Sequence, residues 1–123
     1  MDGAGQSYRK ERPPLMSFKS LNVQDAAKSI HKGVMIVDVR EQDEFDQAHL
    51  ENATLVPLST VSAEKINELN PTNKTILIHC RSGKRSKVAA NVLLSQGYSG
   101  EILELDEGIN AWIESDQPVI SNI

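Results

Sequence analysis

Two stretches limit the possible folds of this chain more than any other: VMIVDV at 34–39 and TILIH at 75–79. Each is almost continuously apolar, as a parallel strand covered on both faces must be. Each runs on into polar residues and a helical pattern, with no hairpin-type turn to return an antiparallel neighbour. Before the first, Val23, Ala26, Ala27 and Ile30 repeat at i, i+3, i+4 and i+7, with Asn22 placed to cap a helix and Gly33 to stop it. EQDEFDQAHL predicts one or two helical turns, and ATLVPL a short strand whose Pro57 marks a sheet edge or a strand end. A polar helix through Ile66 and Leu69 ends at NPTN. The spacing of Val88, Ala89, Val92 and Leu93 predicts a helix over 86–96 stopped by Gly97; EILEL is a last strand, and Ile109 to Ile113, with Trp112, a last helix. This alternation predicts an α/β fold with a largely parallel central sheet and helices on both faces. No internal repeat is visible.

At 123 residues the chain holds one core, not two. Residues 1–16 read as a flexible tail ending in Pro13-Pro14 and Met16, leaving 17–123 as the domain. The first twenty residues have basic side chains but no apolar run behind them, unlike a secretory signal. No run approaches membrane-spanning length. A single cysteine forbids an internal disulfide and fits a reducing compartment, the cytoplasm by default. A net charge of −4 offers no general attraction to nucleic acid or an anionic membrane.

Against that acidic background, Arg81, Lys84, Arg85 and Lys87 place 4 of the 13 basic residues within the eight positions 80–87. Cations at a helix start oppose its macrodipole, so a merely solvated face would carry an energetic cost. A small anionic ligand accounts for them better. Ligands of parallel sheets bind beyond the carboxyl ends of the strands, and two polar clusters lie at such ends: Asp38-Val39-Arg40, and Cys80 to Arg85.

A cysteine is a nucleophile only as its thiolate. A strand-to-helix turn aims free N–H groups and the positive helix end at the residue before it, and Gly83 allows the loop to curl so that successive N–H groups face inward. Arg81, Lys84 and Arg85 add positive potential. A lone cysteine is commonly a small packed hydrophobe, but here His79 stands on one side and a basic loop on the other. One sulfur and three scattered histidines offer no metal-ligand spacing.

DVREQDEFDQAHLENATLVPL followed by ILIHCRSGKRS resembles the rhodanese domain, from about Leu21 to Val119, with Trp112 and Pro118-Val119 closing the pattern. The chain departs from the usual family glycines at Ala48, at Glu51 or Asn52, and at Glu107 of the pair before the last helix. The related cysteine phosphatases carry their arginine six residues after the cysteine, where this chain has Ser86; its loop closes at Arg85, the shorter sulfurtransferase form.

The resemblance implies a thiosulfate sulfurtransferase that works by double displacement through a Cys80 persulfide, without metal or cofactor. Its donor would be a small sulfur anion and its acceptor cyanide or a small thiol. Arg81, Ser82, Gly83, Lys84 and Arg85 would bind the donor and offset its departing charge, with Ser86 supporting the loop. Arg40 either reaches the donor or pairs structurally with Glu44 or Asp43, while Asp38 and Glu44 fix arginines by charge-assisted bonds. His49 and His79 fit hydrogen-bonded structural roles, and Phe45 and Trp112 core or pocket wall. Two alternatives stay open: a relay taking sulfur from a protein persulfide, and an interaction module with little thiosulfate turnover.

Overall fold

The computed structural model describes residues 17–121. The expected tail, 1–16, lies outside the described residues. β1 (Lys19–Leu21) leads into α1 (Val23–His31), where the Asn22 side chain accepts the Asp25 N–H as a helix cap. There follow β2 (Met35–Asp38), α2 (Gln42–Gln47), β3 (Ala48–His49), β4 (Thr54–Leu55), a 3₁₀ turn (Leu58–Thr60) and α3 (Ala63–Leu69). Then come β5 (Ile76–His79), α4 (Lys84–Ser95), β6 (Ile102–Leu105), α5 (Gly108–Glu114) and β7 (Ile120–Ser121).

Five strands form one parallel sheet in the order β1-β6-β5-β2-β4. Side-chain alternation along β5 sorts the two faces. Ile76 and Ile78 pack with Ile66, Ala89, Ala90 and Leu93 under α3 and α4, whereas Leu77 packs with Ala26, Ile109 and Trp112 under α1 and α5. Helices thus cover both faces. Because every strand of the sheet points the same way, Asp38, His79 and Leu105 end on one side of it.

Four elements depart from the sequence expectation. β1 is three residues long with one buried side chain, too short for a periodic signal. Its place comes from pairing with β6. β3 and β7 form a separate two-stranded antiparallel ladder, each of two residues and so invisible to pattern. α4 begins at Lys84 rather than Ser86, because Gly83 at φ +105 is the helix cap and the first turn is polar. The family-glycine positions accept other residues for local reasons. Ala48 has φ −165, ordinary extended backbone; Asn52 takes φ +68, which asparagine tolerates; and Glu107 has φ −109.

Candidate functional site

Cys80 continues the α4-side face of β5 and is 1 % exposed. The loop after it folds back on the sulfur. The Gly83 and Ser86 N–H groups donate to Cys80 Sγ at 3.1 and 3.3 Å, and the thiol faces Ser86 Oγ at 3.6 Å. Lys84 and Arg85 open α4, so their N–H groups have no acceptor within the helix and add to the positive end beside the loop.

The loop is held from outside by the start of α5. Ile109 N–H donates to the Cys80 carbonyl at 2.9 Å, and Asn110 N–H to the Arg81 carbonyl at 3.1 Å. A Cβ at Gly108 would stand 2.3 Å from the Arg81 carbonyl oxygen, so this approach requires glycine. Of the usual family pair, Gly108 is the member whose space is occupied.

The cations divide into two groups. Arg85 forks onto Glu44 of α2, with Nη1 and Nη2 at 2.8 and 2.9 Å from the two carboxylate oxygens. These bonds raise the Arg85 pKa above its usual value, burial opposing them. The same Arg85 bonds, opposed by burial and helped by the Glu41 backbone, hold the Glu44 carboxyl down to about 2. Burial works against the Lys87 charge, but bonds to Asp106 and Glu104 outweigh it and raise the Lys87 pKa. No carboxylate of the described residues stands within ion-pair distance of Arg81 or Lys84, which are exposed. Four neighbouring cations therefore leave two for a ligand.

Arg40 pairs with neither Glu44 nor Asp43. Its guanidinium turns inward onto Asp38, Nε and Nη2 bonding the carboxylate at 3.0 and 2.8 Å, and Nη2 reaching the Ala48 carbonyl at 2.7 Å. Burial holds the His79 pKa below its usual value, against the attraction of Asp38, whose Oδ2 lies 3.5 Å from Nε2. His79 Nδ1 meets the Cys80 carbonyl at 3.2 Å. His49 Nδ1 meets the Phe45 carbonyl at 3.0 Å while the two rings stack at 4.0 Å. Trp112 Nε1 donates to the Pro118 carbonyl at 2.8 Å.

A cleft of about 170 Å³ opens between α2 and α5, lined by Arg40, Glu44, Ala48, Arg81, Ile109 and Ile113. A larger one, about 540 Å³, lies at the amino ends of the strands among Met35, Asn70 and Lys74, on the far side of the sheet from the loop. The thiol loop borders the smaller of these two clefts. Sequence reasoning missed Glu104, Asp106 and the α5 start. A single acid inside the otherwise apolar strand ILEL, Ile102–Leu105, was the available signal for the first.

The Glu44–Arg85 fork makes a pH prediction. A carboxyl lowered from 4.5 to about 2 stabilises the fold fully above the higher value and progressively loses that stabilisation as the pH falls through the lower. With both side chains partly exposed, the effect is of order 2 kcal/mol. Urea unfolding of Glu44→Gln should show that deficit at pH 7 and a shrinking one at pH 3. A constant deficit would separate the fork from the stability.

The chain matches a family model described as a rhodanese-like domain over residues 22–115. It is 34 % identical over 88 residues to a protein named sulfurtransferase from Allochromatium vinosum, covering 72 % of this chain and 79 % of that one. It is 28 % identical over 104 residues to thiosulfate sulfurtransferase GlpE of Haemophilus influenzae, covering 85 % and 96 %. A crystal structure of a rhodanese-related protein from Thermoplasma volcanium superposes with a TM-score of 0.71 at 29 % identity, covering 84 % and 98 %. The family match runs from the cap of α1 to the residue after α5 and takes in the thiol loop, so this chain belongs to the rhodanese-like domain family.

Proposed function

We propose that this chain, within the sulfur transfer for which its relatives are named, moves sulfane sulfur from a thiosulfate-like anion to cyanide or a small thiol through a persulfide on Cys80. The observation that carries the reading is the convergence of the Gly83 and Ser86 N–H groups on Sγ in a loop that closes at Arg85. The Cys80 thiolate attacks the outer sulfur of thiosulfate; a new S–S bond forms, the sulfur–sulfur bond of the donor breaks, and its electron pair leaves with sulfite. Cyanide then attacks the terminal sulfur, leaving as thiocyanate and returning the thiolate.

Arg81 and Lys84 offset the donor and sulfite charge, and the first-turn N–H groups cradle the terminal sulfur. Ser82 forms the exposed rim of the loop. Arg85, committed to Glu44, holds α2 against the loop, and Arg40 with Asp38 shapes the cleft wall rather than offering a free charge. Residues 17–123 act as one unit, and the lone thiol suits a reducing compartment such as the cytoplasm. Among the described residues, no helix is long and apolar enough to cross a membrane.

The test is the intact mass of the protein after thiosulfate alone, then after cyanide. A gain of one sulfur atom, reversed with release of one thiocyanate, is expected. Absence of any adduct on folded protein would overturn the reading and favour an interaction module. An adduct formed only from a protein persulfide would replace thiosulfate with a relay donor.

A further inference from the structure

Glu104 has no part in the chemistry above, yet its side chain is completely buried in β6, between β1 and β5. Its Oε1 accepts from Ser20 Oγ at 2.5 Å; its Oε2 accepts from Ser86 Oγ at 2.6 Å and Lys87 Nζ at 3.1 Å. Three donors, one of them cationic, suit a carboxylate and leave no place for a carboxylic acid to donate. Ser86 is the link to the sulfur. A hydroxyl has one proton, and the line to Glu104 is shorter than the 3.2 Å line to the Gly83 carbonyl and is assisted by charge. With its proton committed there, Ser86 turns a lone pair toward Cys80 Sγ at 3.6 Å.

We propose that Glu104 is a positioning residue that, by holding the Ser86 proton, makes Ser86 an acceptor for the Cys80 thiol and opposes the free thiolate. The two backbone N–H groups on Sγ pull the other way. Arg85 still attracts negative charge on Cys80, while the other surrounding charges are paired, neutral or exposed. Lys87 is shared between Glu104 and Asp106, Arg85 is taken by Glu44 and Arg40 by Asp38, His79 is neutralised by burial, and Arg81 and Lys84 are exposed.

For the loaded enzyme the consequence rests on the persulfide reading. There the negative charge sits on the terminal sulfur, about 2 Å beyond Sγ, and the inner sulfur has no proton to give. Glu104 therefore penalises the thiolate more than the persulfide and favours the loaded form.

The chain has one cysteine, so its thiolate can be titrated by ultraviolet absorbance, with Cys80→Ser as the blank and no sulfur donor present. Failure of persulfide chemistry would leave this readout intact. In Ser86→Ala the titration should move to lower pH, with the thiolate fraction below the midpoint rising about three- to tenfold, as for loss of one hydrogen bond to the thiol. A move to higher pH would mean that Ser86 donates to the thiolate, and an unmoved curve that the pair is only structural; either overturns the proposal. Glu104→Gln keeps the shape and decides the matter if Ser86→Ala does not fold. It too should titrate at lower pH, and an unchanged or higher midpoint would sink the idea.

Discussion

Cys80→Ser should lower thiocyanate production from thiosulfate and cyanide by at least about a thousandfold while leaving the fold intact, because an alcohol at this position cannot form the S–S bond of the persulfide we propose. The expectation of an intact fold comes from the site itself. Serine has nearly the shape of cysteine, and its oxygen can accept the same Gly83 and Ser86 N–H groups that now reach Sγ. The substitution removes some apolar contact, since Cys80 is packed into the α4-side core. The thermal midpoint should nevertheless shift by only a few degrees, as for a cost near 1 kcal/mol. Activity and midpoint measured on one preparation separate the two effects. Residual turnover above a hundredth of the wild-type rate would show that sulfur can reach the acceptor without resting on Cys80.

Gly83→Ala should cost both stability and activity. At φ +105 an L side chain is strained, at about 1–2 kcal/mol. The added Cβ would also stand 1.9 Å from the Asp106 carbonyl oxygen, a backbone atom of the turn that braces the loop. Relieving that overlap requires one of the two backbones to move, at a further ~1–3 kcal/mol. Any such movement carries the Gly83 N–H away from Sγ, so turnover should fall at least about tenfold even in molecules that remain folded. Gly33→Ala is the matched control. It has a similar positive φ of +98 but nothing within 4 Å of the new methyl, so it should show the strain alone. Urea midpoints for the two variants should differ by the clash. Equal midpoints would mean that the Asp106 turn yields freely and braces nothing.

Much of this architecture is legible in the chain because its strands are short apolar runs between strong helix signals. Ile76 to His79 and Met35 to Asp38 announce themselves as buried from both sides, and Asn22 caps where its side chain type says it should. The thiol loop is legible because a glycine and several cations follow the sole cysteine. What escapes is whatever depends on partners remote in sequence. Ser20 has no signal of its own; its place comes from Glu104, 84 positions away. Four close cations read as a free positive patch, and only the fold reveals that Glu44, 41 residues before Arg85, has claimed one of them. Arg40 reads as either reaching a donor or pairing with Glu44 or Asp43, while in space it closes on Asp38 two residues before it. Periodicity reports which side chains go inside. It is silent on which charges cancel there.

The brace on the thiol loop also sets an order of events in biosynthesis. Cys80 leaves the ribosome before Asp106, Gly108, Ile109 and Asn110, the residues whose backbones close on Gly83, Arg81 and Cys80. Until β6 has threaded between β1 and β5, neither Glu104 nor the start of α5 can close on the thiol loop. Parallel pairings of this kind are non-local and form late. The nascent chain thus carries Cys80 in an unbraced loop through most of its synthesis, and the brace closes only when the fold is complete.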